Sequence, residues 1–263
     1  MFMSSTNLFQ DTVKKLPEGG FLHVINIEEI TPELKNLIDE NLPKIHSASE
    51  YNLERTKKIL MDVFKANVKP YNLSDVKMGA IAEFFVHLYF TNLGFKQECL
   101  FQNLEDQHSI KKGHDGYYSY EDEAWIMESK STATKTEHQD NIDLAYSDLK
   151  AKISGKKKTD DGRVISPWDN ALNHALRVKS SNKIVDEIKS LSNDFIDGKY
   201  HVINDFNIIP ASTVFLNGVW QQLDPDEIFD KISECMKGRE FKKINVICVT
   251  KRTTHLFLDY LNT

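Results

Sequence analysis

The segment Met78-Gly79-Ala80-Ile81-Ala82-Glu83-Phe84-Phe85-Val86-His87-Leu88-Tyr89-Phe90 holds one formally charged residue, Glu83. Ser74 precedes it as a helix cap, Asp75 suits the positive end of the helix dipole, and Gly94 supplies a stop after Leu93. A helix that is apolar on nearly all sides must be covered on nearly all sides, so it belongs between layers of a core. With 263 residues, 40% hydrophobic and 27% charged, the chain can bury such a core within one domain, and residues 1–263 read as a single unit. Glu83 then lies where an unpaired charge is costly.

Around this helix the pattern alternates between strand and helix. Phe21 to Ile27 reads as a strand after the turn Pro17-Glu18-Gly19-Gly20. Thr31-Pro32 opens a helix to about Leu42, and another is expected from Ser49 to about Lys65. Strands are predicted over Phe95 to Leu104, Gly113 to Tyr120 and Ala124 to Lys130, with a helix from His138 to about Lys152. Further on, helices are expected over Ala171 to Val178, Ile184 to Leu191, Asp226 to Met236 and Thr254 to Leu261. Val202 to Leu216 is strand-rich, and Ile244 to Thr250 has the composition of a buried strand.

Charge and cysteine content narrow the class. A net charge of -6 argues against gripping nucleic acid by bulk electrostatics, although metal-binding carboxylates themselves contribute negative charge. Cys99, Cys235 and Cys248 are odd in number and far apart, which suits reduced thiols better than a disulfide framework or a zinc site. No window approaches the ~18 apolar residues of a membrane span, and Met1 to Ser5 does not open like a signal peptide. The expectation is a cytoplasmic protein with no membrane partner.

The chemistry-bearing constellation is Gly113-His114-Asp115-Gly116 followed by Glu128-Ser129-Lys130. Strand periodicity puts Ile126, Glu128 and Lys130 on one face, with Trp125, Met127 and Ser129 on the other. Mg²⁺ takes oxygen ligands and usually needs only one or two protein carboxylates beside water and substrate phosphate. Asp115 and Glu128 can supply them, with the Ser129 carbonyl as a further ligand and Glu83 completing the set from the helix. Lys130 would orient or deprotonate an attacking water and offset developing negative charge. Gly113 and Gly116 permit close backbone approach to metal or phosphate.

A helix bearing Glu, a strand bearing Asp, a strand ending Glu-x-Lys and a following helix together resemble the PD-(D/E)xK nuclease superfamily. The resemblance covers about residues 74–152, with His114 standing where that superfamily loosely favours Pro. It implies an α/β restriction-endonuclease-like core, a central mixed sheet flanked by helices, carrying N- and C-terminal additions. It also implies a Mg²⁺-dependent deoxyribonuclease for which Mn²⁺ substitutes. The Gly-His-Asp-Gly and Glu-Ser-Lys-Ser-Thr segments and the chain length further resemble the nuclease subunits (HamA) of bacterial Hachiman anti-phage systems and their AbpA-like relatives. That likeness implies a DNase effector acting on DNA and held by a HamB-like superfamily 2 helicase. Substrate contacts would fall at Gln139, Tyr146 and Thr132, and at Lys156, Lys157 and Lys158 in a basic loop.

Each residue also has a plainer reading. Glu128 and Lys130 fit a cross-strand charge pair, Asp115 a turn aspartate, Glu83 an internal ion pair and His114 a surface histidine. On that view the chain is a non-catalytic, nuclease-like scaffold or regulatory subunit that binds DNA or a protein. Lys251, Arg252 and His255 follow a buried strand and are candidate contacts to DNA or partner. The partner's docking surface is expected before Ser74 or after Gly155.

Overall fold

Apolar side chains along each central strand face two separate cores in alternation, and this sets the architecture. The computed structural model describes residues 8–66, 69, 71, 73–104, 115–133, 137–159, 162–216, 220–252 and 254–263. In chain order its elements are β1 (Thr12–Lys15), β2 (Phe21–Ile27), α1 (Pro32–Ser47), α2 (Leu53–Phe64), α3 (Asp75–Asn92), β3 (Lys96–Gln97), β4 (Gly116–Tyr120) and β5 (Glu123–Ala133). There follow α4 (His138–Ile153), α5 (Trp168–Arg177), α6 (Asn182–Ile196), β6 (Asn207–Phe215), α7 (Pro225–Met236), β7 (Lys243–Lys251) and α8 (His255–Leu261).

The strands form one mixed seven-stranded sheet in the order β1-β2-β7-β6-β5-β4-β3. Its centre, β2, β7, β6 and β5, is parallel, while β1, β4 and β3 extend the two edges antiparallel. Parallel strands are buried on both faces by crossover helices, which explains the nearly continuous burial of β6 and β7. One core joins Ile25, Ile27, Met127, Ile209 and Val249 to α1, α2, α3 and α8. The other joins Leu22, Val24, Ile126, Ile208 and Val246 to α4, α5, α6 and α7. Helix α3 is covered on most sides: Ala80 to Phe90 is buried without interruption, Glu83 included.

Several boundaries differ from expectation for identifiable reasons. Helix α1 runs through Pro43 to Ser47, because Ile38, Leu42 and Ile45 are all buried and their packing outweighs the hydrogen bond that proline forfeits. Helix α2 begins at Leu53, where the Asn52 side chain accepts from the Arg55 N–H. The strand expected over 95–104 shrinks to Lys96–Gln97, since the chain turns away to the end of α1: Phe101 and Gln102 donate their N–H groups to the carbonyls of Ile45 and His46. The short edge strand β1 was not foreseen. It folds back through Gly20, whose φ of 77° and close approach to the Ile244 carbonyl exclude a Cβ.

Candidate active site

The hairpin β4–β5 sets the site's register. Gly116 pairs with Met127, so Asp115 lies one step beyond the ladder, opposite Glu128. There its Oδ2 accepts a 2.6 Å hydrogen bond from the Ser129 N–H. In an extended strand a residue's N–H and C=O project toward the same edge, so the Ser129 carbonyl also faces the Asp115 side. Gly113 and His114 lie outside the described residues.

Alternation along β5 works as expected: Trp125 and Met127 belong to the core under α3, and Ile126 to the core under α4. Glu128 and Lys130 therefore point toward α4, and both meet charged partners there. Lys130 Nζ donates to Glu128 Oε1 at 2.9 Å and to Asp148 Oδ2 at 2.6 Å. Lys152 Nζ donates to Glu128 Oε2 at 2.5 Å, and Lys157 Nζ to Asp148 Oδ1 at 2.7 Å. Asp148 and Lys152 stand four apart on α4 beside the buried Leu149 and Ile153, so helix packing fixes where they project. Glu128 is only 3% exposed, and its paired lysines make that burial tolerable.

Burial alone would lower the pKa of Lys130, but the Glu128 and Asp148 carboxylates outweigh it and raise the group above the ordinary lysine value. In the same way Lys130 and Lys157 overcome the effect of burial on Asp148 and lower its pKa. Lys130 is thus an ammonium at neutral pH. This geometry suits it as a hydrogen-bond donor and counter-charge.

Beside this cluster lies a neutral polar network. His138 Nδ1 is 2.8 Å from Ser212 Oγ and its Nε2 3.1 Å from Thr250 Oγ1, while Asn141 Nδ2 donates to Ser212 Oγ and to Thr132 Oγ1. Burial lowers the His138 pKa to about 3, so the ring is uncharged. Thr132, a candidate substrate contact, is part of this network. Gln139 lines a cavity of about 290 Å³ with Glu137, His138, Val214, Leu216 and Ile228, between the start of α4 and α7. Tyr146 is buried and donates to the Glu240 carbonyl. Lys156 and Lys158 are exposed, and Lys158 bridges Val164, which gives the basic loop a fixed shape at that point.

Glu83 lies on α3, 8% exposed, with its Oε1 3.0 Å from His87 Nε2. His87 Nδ1 in turn meets the Tyr118 hydroxyl at 2.5 Å. Among the described residues no group of three His, Cys, Asp or Glu side chains is arranged to hold a metal ion, while Glu83 and Asp115 both act electrostatically on the Tyr118 hydroxyl. Lys251 corrects its reading as a surface contact. It is fully buried on the α3 side, its ammonium 4.2 Å from the centre of the Phe85 ring and, among the described residues, without a hydrogen-bond partner.

Sequence reasoning missed Asp148 and Lys152. Their i,i+4 spacing at the edge of the apolar stripe of α4 was the available signal, together with the need of a buried Glu128 for more than one cation. The donors suited to a divalent ion are the Asp115 and Glu128 carboxylates and the Ser129 carbonyl. All three are hard oxygens, and two carboxylates meet what Mg²⁺ asks of a protein. No protein-family model and no curated protein matches the sequence.

Proposed function

We propose that this chain is a metal-dependent deoxyribonuclease of the PD-(D/E)xK kind. The observation that carries the reading is the contact of Asp115 with the Ser129 N–H, because it ties a second carboxylate to the backbone of β5 between Glu128 and Lys130, at the open end of a hairpin. Asp115, Glu128 and the Ser129 carbonyl would hold Mg²⁺ or Mn²⁺. Such an ion, when bound, acidifies a water and neutralises charge on the scissile phosphate. Lys130 stays protonated and donates to the attacking water or to a phosphate oxygen. Lys157, at the mouth of the cluster, meets the neighbouring phosphate. Glu83, held by His87, would support the ion from α3.

The net charge of -6 supports a further part of the proposal, that a partner supplies much of the DNA-binding surface. A HamB-like helicase in a bacterial anti-phage system of the Hachiman type suits that role. The test is cleavage of plasmid and linear DNA with Mg²⁺, with and without the partner. Glu128→Ala and Lys130→Ala should each reduce cleavage by about 10²-fold or more. Full activity in either would sink the reading.

One observation favours the scaffold alternative: both oxygens of Glu128 are held by lysines. DNA left intact with Mg²⁺ and with Mn²⁺, partner present, would select it.

A further inference from the structure

We infer that a cavity at the end of the sheet where β2, β5 and β7 begin binds a small organic cation, an alkylated ammonium of the trimethylammonium type. The inference is independent of the metal-site reading above, since Glu128 and Lys130 lie toward the other end of β5. The cavity measures about 350 Å³, within the range of preformed ligand sites. Five of its lining residues are aromatic: Phe21, Phe95, Tyr120, Trp125 and Phe241. Phe95 and Tyr120 stack with their centroids 4.4 Å apart, and Trp125 meets Phe95 edge-on at 74°, so these three form one packed aromatic block. Phe21, the first residue of β2, is 36% exposed and keeps part of its ring open to an incoming ligand. Two tight turns frame the rings. Gly19 and Gly20 lie between β1 and β2 with φ of 98° and 77°, and Glu121 and Asp122 join β4 to β5 with φ of 48° and 62°. Glycine or asparagine is the usual choice for such a hairpin turn, so Glu121 holds its carboxylate at the cavity in a backbone conformation that side chains disfavour.

Charge selects the ligand. Glu18, Glu121 and Glu123 line the cavity together with Lys242 and Lys243, three carboxylates against two ammonium groups. Lys243 Nζ donates to Glu123 Oε2 at 2.5 Å, and among the described residues Glu18 and Glu121 are held by no lysine or arginine. The face of an aromatic ring carries partial negative charge, so the walls and the excess carboxylate attract a ligand of the same sign. A methylated ammonium suits these walls better than a primary one, because its methyl groups pack on the rings and it gives up no N–H bonds to water on entering. A phosphate-bearing ligand would instead meet Glu18 and Glu121 with like charge.

The experiment is calorimetric titration of the full chain with choline, with its neutral carbon isostere, in which a tert-butyl group replaces trimethylammonium, and with adenosine monophosphate. Wild type should bind choline about tenfold more tightly than the isostere. Phe21→Leu, which keeps an apolar chain but removes the ring, should weaken choline about tenfold, and Glu121→Gln about threefold. Thermal melts identify which variants fold, and the comparison of ligands on wild type needs neither variant. Equal binding of choline and its isostere, or no choline binding, would overturn the inference. So would adenosine monophosphate binding more tightly than choline, or a folded Phe21→Leu that binds choline as wild type does.

Discussion

Two lysines near the ends of parallel strands, Lys130 on β5 and Lys251 on β7, experience opposite physics on opposite faces of the sheet. Lys130 finds two carboxylates, so its charge is stabilised and its pKa rises. Among the described residues Lys251 finds the Phe85 ring and no hydrogen-bond partner, and burial lowers its pKa to about 7. The contrast teaches that a strand-end lysine acquires its role from the helix laid across it. Helix α4 brings Asp148 within reach of Lys130, whereas α3 brings an aromatic ring to Lys251.

The strongest way to break the comparison is to remove the shared carboxylate. Glu128→Ala leaves Lys152 without its acceptor in a nearly closed site and should destabilise the fold by about 3–5 kcal/mol in a denaturant titration. A loss below about 1 kcal/mol would mean the ion pairs contribute little. Lys251→Met should act with the opposite sign, stabilising by about 1–3 kcal/mol at neutral pH, because it replaces an unpaired buried amine with an apolar chain of similar length.

The pH dependence sharpens the contrast. Between about pH 7 and the ordinary lysine value the unfolded chain binds more protons at position 251 than the folded one, so that residue's penalty shrinks as pH rises. The stability gap between wild type and Lys251→Met should therefore narrow from pH 7 to 10. Lys130 has a raised folded pKa, so its contribution is complete below the ordinary lysine value and is lost as pH climbs through the folded one.

On the acid side, His138 has a folded pKa of about 3 against 6.5 unfolded. Stability should fall as pH drops from 6.5 toward 3, by up to roughly 1.4 kcal/mol per pH unit for that one group. A variant replacing it, His138→Gln, should show a shallower acid slope in urea titrations at stepped pH. The smallest effect is expected at Lys157→Ala, whose partner Asp148 keeps Lys130. Its stability should change by less than about 1 kcal/mol, while DNA affinity falls with a shallower salt dependence.

Periodicity made the central scaffold legible. The alternation in Ala124 to Lys130 fixed which side chains share a face, the apolar run of Ile244 to Thr250 marked a central strand, and the fully apolar 78–90 segment announced a buried helix. What sequence could not show was depended on distant packing. The helix opened by Thr31-Pro32 was expected to end at about Leu42, yet the core beneath α1 carries it past Pro43 to Ser47. Glu83 and Glu128 both looked like charges awaiting a metal, and only the fold shows their neighbours, His87 for the one and Lys130 and Lys152 for the other. The partners of Glu128 on α4 were visible as residues but not as partners, since nothing in a helical repeat says which strand position it will cover.

Chain order adds a temporal consequence. The contacts of the candidate site span 14, 18, 24 and 9 residues, so they close over short loops. The sheet that supports them does not: β7 stands between β2 and β6, and it is the last of the strands to be synthesised. Until it inserts, β2 and β6 lack their common neighbour and the two cores have no continuous wall between them. On the ribosome, the residues of the candidate site emerge well before the surface that holds them in place, so the nascent chain carries these charged groups before the sheet can fix their positions.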